Sequence, residues 1–230
     1  MNDDKAELLK NQLSQKYDLS FFDLTLGDQI FHLTSVNNID DLYEALVEKG
    51  PEHEDVLDER IPYWADLWHS AIGMAQYIME KEDTFEGKTV LEIGCGLGLA
   101  GVAAARRGGE VILTDYLPEA LEAAELVWRM NLPTEPNLQI LDWREPDEKL
   151  QSDILLASDV AYEARNLEPL LHAFKTLVKP GGKILLSEPG RPLGKEFFNS
   201  IKPYIQKKEA ISVPFKGILT RVNVVELCLF

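Results

Sequence analysis

The sequence predicts a doubly wound α/β domain, a mainly parallel sheet with helices on both faces, behind a small N-terminal extension of helix and β-hairpin. Three observations carry this. From Pro62 onward, short apolar runs alternate with stretches of helical periodicity, the signature of successive strand–helix units. Two of the runs, Thr89–Ile93 and Asp153–Ser158, are nearly continuous in apolar residues, as expected of strands covered on both faces. The first run ends in glycines at alternate positions, Gly94, Gly96 and Gly98, where a sheet strand turns into a helix.

The elements follow in order. Residues 1–19 read as a polar helix with Leu8, Leu9 and Leu13 on one face. Phe21–Leu26 alternates, Gly27-Asp28 breaks the run and Ile30–Leu33 resumes it, which is a β-hairpin. Residues 39–48 form a short helix, and the charged stretch 50–60, opening with Gly50-Pro51, is a connector. The division falls there, into an extension over 1–60 and the main domain over 61–230. In the main domain Ala65–Met79 is helical, with Leu67, Ala71, Met74, Ala75 and Ile78 on one stripe. The first strand is Thr89–Ile93, with a helix to Arg107. The second is Glu110–Asp115, with a helix over 118–130. The third is Leu138–Asp142 and the fourth Asp153–Ser158, with a helix over Asn166–Leu177. A turn at Lys179-Pro-Gly-Gly182 leads to a fifth strand, Lys183–Ser187. A helix over 194–206 and two strands over 209–215 and 221–230 complete the chain.

Composition bounds the function. The 230 residues suit one large domain with appendages, and 45% apolar residues are enough for a core. Acidic residues outnumber basic ones 39 to 23, a net charge of −16, which repels phosphate backbones and argues against nucleic acid as a partner. The same charge attracts a basic protein, although it also serves solubility alone. No apolar run is long enough to span a bilayer, and the charged N-terminus lacks the apolar region of a signal peptide. Cys95 and Cys228 form no metal-like pair and fit reduced thiols in a cytoplasmic protein. His32, His53, His69 and His172 show no ligand spacing, so no metal is expected, and His69 reads as a helix-surface residue.

Ligands of such sheets bind at the carboxyl ends of the strands, near the point where strand order reverses. After the first strand, the glycines let the backbone approach a ligand closely, and Glu92 beside them could meet a cationic amino-acid group but would repel a pyrophosphate. Asp115 ends the second strand, where a carboxylate can accept hydrogen bonds from both hydroxyls of a ribose or simply favour the helix start at Pro118. Asp142-Trp143 ends the third and could bond an adenine amino group and lie against its ring, or be a loop acid beside a core tryptophan. Ser158-Asp159-Val-Ala-Tyr162 ends the fourth and brings an acid and a phenol beside the glycine turn, if the first and fourth strands are neighbours. The alternative is a turn cap and a packing residue. One rival is explicit: Gly96-Leu-Gly98-Leu-Ala-Gly101 matches the dinucleotide fingerprint G-x-G-x-x-G, with Asp115 at a suitable distance. Against it, Gly94 and not Gly96 directly follows the strand. Tyr204 and Lys208 have a reductase-like spacing but lie late in the chain, as surface residues.

Together these residues resemble a known family. Val90-Leu-Glu-Ile-Gly-Cys-Gly-Leu-Gly98, Thr114-Asp115 and Lys179-Pro-Gly-Gly-Lys183 resemble three motifs of the class I methyltransferases, over residues 62–230. A narrower resemblance is to the family 16 methyltransferases, many of them protein-lysine methyltransferases. It rests on Trp64-Ala-Asp-Leu-Trp68-His-Ser-Ala, Leu97-Gly-Leu-Ala-Gly101, Leu141-Asp-Trp143 and the D-x-x-Y of Asp159–Tyr162. The resemblance implies a Rossmann-like seven-stranded methyltransferase sheet, S-adenosylmethionine as cofactor with S-adenosylhomocysteine as product, and a protein lysine as acceptor. It implies that Glu92, Gly94 and Gly96 hold the methionine end, Asp115 the ribose, and Asp142 and Trp143 the adenine. Trp68 would cover the cofactor, Ser158 would touch it, and Asp159 and Tyr162 would face the acceptor amine.

Two segments depart from the family pattern: Glu188-Pro-Gly-Arg-Pro192 after the fifth strand, and the connector at 50–60. Both are candidates for the substrate rim. A lysine acceptor has a free pKa of about 10.4, so a neutral amine near pH 7 costs about 4.6 kcal/mol. A sulfonium nearby lowers that pKa and Asp159 raises it, so Asp159 and Tyr162 are expected to orient the amine and accept its hydrogen bonds. A small-molecule methyltransferase, a nicotinamide oxidoreductase and a non-catalytic binding module remain the alternatives.

Overall fold

The computed structural model describes residues 2–81, 85–162 and 164–229. The N-terminal extension forms α1 (Asn2–Lys16), an antiparallel hairpin of β1 (Leu19–Leu26) and β2 (Gln29–Val36), and α2 (Ile39–Glu48). The hairpin reverses over two residues because Gly27 takes φ +62°, a region open to a residue without Cβ. Its register turns Phe31 and Leu33 inward, and both are buried, as is Val36 at the strand end. Leu13 of α1 is buried as well, but Leu8 is 60% exposed. The expected three-leucine face is therefore narrower, because α1 rests on the main domain along one edge that Lys5–Glu135 and Lys16–Glu122 ion pairs flank. The connector contains a one-turn helix, α3 (Glu54–Leu57).

The main sheet has seven strands: β3 (Thr89–Ile93), β4 (Glu110–Asp115), β5 (Asn137–Ile140), β6 (Ser152–Ser158), β7 (Val178–Glu188), β8 (Ile205–Phe215) and β9 (Ile218–Leu227). Their order is β5-β4-β3-β6-β7-β9-β8, parallel from β5 to β7, with β9 antiparallel to both neighbours. Alternate residues of each central strand serve opposite faces. Val90 and Ile154 enter the core under α4 (His69–Glu80), α5 (Leu99–Arg106) and α6 (Pro118–Asn131). Leu91 and Leu155 enter the core under α7 (Leu167–Leu177) and α8 (Pro192–Ile201). The hairpin's Phe31 and Leu33 belong to the first of these cores. Strand order reverses at β3, which lies between β4 and β6, so a crevice opens at the carboxyl ends of these strands. Gly101 lets α5 sit close on the sheet there: a Cβ would lie 2.2 Å from Leu113 and 2.7 Å from the Glu92 carboxylate.

Several expected boundaries move. The helix expected over Ala65–Met79 begins only at His69. Before it come a single turn at Tyr63–Ala65 and an extended Asp66–Trp68. Trp64, Ala65 and Leu67 are buried in that irregular segment, and their spacing imitates one helical stripe. His69, at the helix start, is not a surface residue but is half buried with its ring edge-on to Phe215. The third strand stops at Ile140, so Asp142 and Trp143 sit in a following turn, which Asp142 closes by accepting the Arg144 N–H. Lys179-Pro-Gly-Gly182 is part of β7, with an irregularity in its pairing to β6, and not a separate turn. The helix expected over 194–206 ends at Ile201, ahead of Pro203, and β8 begins at Ile205. Tyr204 is partly buried against the second core. The last two strands start earlier than expected, and residue 230 lies outside the described residues. No helix among the described residues is long and apolar enough to cross a membrane, and no cluster of metal-ligating side chains occurs among them.

Candidate active site

A cavity of about 330 Å³ opens at the carboxyl ends of β3, β4 and β6, within the size range of small-molecule sites. Its floor is the turn after β3. Gly94, Gly96 and Gly98 all have positive φ, +58°, +52° and +72°, so the chain folds back on itself within a few residues. Gly94 has a second constraint: a Cβ there would lie 2.6 Å from the ring of Trp143. The turn spends most of its donors internally. Cys95 N–H bonds to the Thr114 carbonyl (2.9 Å), Gly96 N–H to Asp115 Oδ2 (3.1 Å) and Gly98 N–H to the Cys95 carbonyl (2.8 Å). Gly101 N–H, at the start of α5, goes to Glu92 Oε2 at 2.8 Å. Four of the N–H groups on which a pyrophosphate would draw here, those of Cys95, Gly96, Gly98 and Gly101, are thus engaged within the fold.

Glu92 therefore lies behind the turn and not on the cavity wall. It is fully buried, one carboxylate oxygen holds α5 and the other has no partner, and burial pushes its pKa up to about 8. At neutral pH it is an uncharged acid, so the expected electrostatic repulsion of a pyrophosphate does not come from this side chain. Asp115 does line the cavity. It is buried, accepts the Gly96 and Leu117 N–H groups, and burial raises its pKa to about 6, against the opposing effect of those bonds. The neighbouring Cys95 thiol is held well above its ordinary pKa by burial and stays protonated.

Trp143 lines the cavity, but its neighbour Asp142 turns away from it. Arg144 holds Asp142 through both carboxylate oxygens, with contacts of 2.6–2.9 Å, and also pairs with Asp58 of the connector. Arg165 adds contacts to the Asp58 carbonyl at 3.1 Å and to Glu59 at 3.3 Å. Four ends of chain, 58–60, 142–144, 116 and 165, are thus tied together, and Glu59 and Ile61 become part of the cavity wall.

On the opposite side, Ser158 ends β6 and Asp159 and Tyr162 follow it, and β6 is the neighbour of β3. Asp159 takes φ +55°, and its N–H bonds to the Ser187 carbonyl of β7 at 2.9 Å, which fixes its direction. Its carboxylate is gripped bidentately by Arg191, Nε to Oδ1 at 3.0 Å and Nη2 to Oδ2 at 3.2 Å. The Arg191 guanidinium also lies 5.6 Å from the ring centre of Trp68. Trp68 is 37% exposed at the rim, and its indole N–H bonds to the Tyr63 carbonyl at 2.7 Å. The Tyr63 ring meets Trp68 and Tyr162 edge-on, with centres 5.9 and 5.5 Å away. One wall of the cavity is thus an aromatic cluster with a paired carboxylate beside it, opposite a turn that presents main chain.

The structure therefore brings Trp68, Gly94, Gly96, Asp115, Trp143, Ser158, Asp159 and Tyr162 to one cavity, and leaves Glu92 and Asp142 outside its lining. It also adds Tyr63, Tyr116 and Arg191, which sequence reasoning missed as individual residues. A signal existed for Arg191: it follows β7, the strand beside the one that carries Asp159, and strand ends are where such sheets place ligand contacts.

Comparison with known proteins identifies the family. A family model described as lysine methyltransferase matches residues 61–204. The human histone-arginine methyltransferase METTL23 is 37% identical over 128 residues, 52% of this chain and 66% of that protein. The mouse EEF1A lysine methyltransferase 3 is 30% identical over 150 residues, 63% of this chain and 64% of that protein. The matches thus span a little under two thirds of the length of either relative. Among solved structures, magnesium protoporphyrin IX methyltransferase from Synechocystis PCC 6803, with bound SAM, superposes with a TM-score of 0.55. It covers 83% of this chain and 92% of its own at 14% identity, a likeness of fold.

Proposed function

The chain belongs to the lysine methyltransferase family, and from that premise we propose that it transfers a methyl group from S-adenosylmethionine to a side-chain nitrogen of a protein, with lysine as the acceptor. The observation that carries the reading is the single cavity in which a glycine turn, a buried Asp115 and Trp143 face the aromatic wall with Asp159 and Tyr162. The residues fit the cofactor. The spent N–H groups of the turn leave main-chain carbonyls and a Cβ-free surface, which suits an ammonium group better than a phosphate. Asp115 has lone pairs left for a ribose diol, and the Trp143 ring offers a face for a purine. Gly94 and Gly96 would hold the methionine end, Trp68 and Ser158 would border it, and Glu92 would act from behind by fixing the turn. When bound, S-adenosylmethionine supplies a methyl group activated by its sulfonium charge.

The protein's own task is then positioning. Asp159, fixed by its bond to β7, and Tyr162 would orient the acceptor amine and accept its hydrogen bonds, while the aromatic wall excludes water. The net charge of −16 supports a basic substrate segment, and a content of only two cysteines, with the Cys95 thiol buried, supports a reducing, cytoplasmic setting. The names of the two relatives indicate different acceptor residues, arginine in a histone and lysine in EEF1A, so the acceptor is the part of the reading to test directly.

Calorimetry should give binding of S-adenosylmethionine and none of NADH; binding of NADH alone overturns the reading. Methyl-labelled S-adenosylmethionine incubated with a cell lysate should label the protein fraction, at lysine by mass spectrometry. Label confined to small metabolites would make the enzyme a small-molecule methyltransferase, and label at arginine would change the acceptor. Asp159→Asn should abolish transfer while cofactor affinity stays within about twofold, since the carboxylate would serve the acceptor and not the cofactor.

A further inference from the structure

Asp159 and Arg191 form a closed pair whose two halves are both tied to the carboxyl end of β7. Asp159 is held by its left-handed backbone and its bond to Ser187. Arg191 is held through its own N–H, which bonds to Glu188 Oε2 at 3.1 Å, while Glu188 Oε1 accepts from Asn223 of β9 at 3.0 Å. This fixes the backbone that carries the guanidinium beside the carboxylate, and the guanidinium itself closes on both carboxylate oxygens. The other charged and titratable groups that face the pair have partners elsewhere or sit in the walls. Glu188 is engaged by the turn and Asn223, Asp66 by Lys216 at 2.7 Å, and Glu59 by Arg165. Asp115 is engaged by the Gly96 and Leu117 N–H groups, Cys95 is a buried thiol, and Tyr63 and Tyr162 stand in the aromatic wall.

An acceptor lysine reaches this site as an ammonium ion and must lose its proton before the nitrogen can attack. An unpaired Asp159 would oppose that loss, because a carboxylate next to an ammonium raises its pKa by about 1–3 units. We infer that Arg191 is a positioning residue for the acceptor, cancelling the charge of Asp159 so that the carboxylate still aligns the amine without holding it protonated. The inference rests on the reading of the cavity as a methyl-transfer site for a protein amine. The acceptor releases one proton to solvent. Its nitrogen lone pair then forms the N–C bond as the C–S bond breaks with its electron pair on sulfur, and the product leaves as a methylammonium and a neutral thioether.

The test is Arg191→Gln, compared with wild type and Arg191→Lys. Labelled transfer to lysate protein, followed from about pH 6 to about pH 10, should show the acid limb of the rate profile displaced upward by about one pH unit in Arg191→Gln. Arg191→Lys keeps the charge and should hold the limb near its wild-type position, at a lower rate because a single ammonium cannot match the bidentate grip. A second readout needs no turnover. Calorimetry in Arg191→Gln should favour S-adenosylmethionine over S-adenosylhomocysteine several-fold more than in wild type, since the unbalanced Asp159 then attracts the sulfonium. The double variant Asp159→Asn/Arg191→Gln should restore the wild-type ratio. An unmoved acid limb with an unmoved ratio overturns the inference, and so does an Arg191→Gln enzyme faster at every pH, which would mean that the guanidinium obstructs the acceptor. Wild-type enzyme that labels no protein at any pH overturns the methyl-transfer reading itself, and the inference with it.

Discussion

Glu92 shows how a residue singled out by its place in a motif can face away from the cavity. Its place before the glycines suggests contact with a ligand. In the fold it stands behind the turn, fully buried, and receives the Gly101 N–H in the first turn of α5. Sequence spacing carries no information on which side of a five-residue turn a side chain falls, because that depends on how closely α5 packs on β4. That closeness is set by Gly101, seven positions beyond the first glycine of the turn. The burial has a measurable consequence. With its pKa near 8 in the folded protein and an ordinary value of 4.5 when unfolded, Glu92 is neutral in both states at low pH. As pH rises the unfolded chain ionises first, so the folded state loses stability from about pH 4.5 until its own carboxyl ionises near 8, and loses no more above that. Glu92→Gln removes this penalty. Its melting temperature relative to wild type should therefore become more positive between about pH 5 and about pH 8.5, a gain of a few kcal/mol at the upper end on the scale of roughly 1.4 kcal/mol per pKa unit. A difference that stays constant over this range would mean that Glu92 ionises normally. Asp115, Gly94 and Gly96, by contrast, were legible: a strand end and a positive-φ turn leave these positions little choice of direction.

At the scale of elements, β3, β4 and β6 were read almost to the residue because their apolar runs are bounded by charge and glycine, whereas β5, β7 and the segments around the site were not. The stretch 63–68 has helical periodicity but folds as a turn and an extended run, since the Trp68 indole bond to Tyr63 and burial of Trp64 and Leu67 outweigh propensity. The connector is a second case. Its charges read as a connector and a candidate rim without indicating their partners; Asp58 and Glu59 pair with Arg144 and Arg165, residues about a hundred positions later, and so close one side of the cavity. Arg144 is the hub, bonded to both Asp58 and Asp142, and it holds the Asp58 carboxyl below its ordinary pKa. Arg144→Ala should leave the two carboxylates unneutralised and loosen the connector. Because the hub is partly solvent-exposed, the effect should be modest, about 1 kcal/mol or a roughly fivefold rise in the Kd for S-adenosylmethionine. Calorimetry at low and high salt checks it: wild-type affinity should fall as salt rises, and the variant's should be nearly salt-independent. Equal salt dependence in the two proteins would mean that the ion pairs do not hold the wall.

At the scale of the molecule, the question is how the N-terminal helix and hairpin relate to the sheet. Composition marks a change of style near residue 61, and no sequence pattern indicates what the hairpin's inner face covers. The answer lies in contacts distant in sequence. Phe31 and Leu33 join the core that contains Val90 and Leu113, Asn131 of α6 bonds to both the N–H and the carbonyl of His32, and Tyr17 lies edge-on to Trp64 with ring centres 5.3 Å apart. The last of these contacts ties the extension to the segment that carries Trp68 and the aromatic wall of the cavity. If the contacts act as one cooperative unit, a cavity cut in the hairpin must weaken the sheet. Phe31 is completely buried, so Phe31→Ala should cost about 3–5 kcal/mol. The four tryptophans, Trp64, Trp68, Trp128 and Trp143, all lie beyond residue 60, so their fluorescence reports chiefly on the sheet unit, with Trp64 replaced by Phe in both proteins because it packs on Tyr17 of the extension. In urea, the fluorescence midpoint of Phe31→Ala should therefore move down together with the circular-dichroism midpoint, with the slope unchanged. A circular-dichroism transition that shifts alone would show that the extension unfolds independently, and the aromatic wall would then have to be held by residues 61–230 without it.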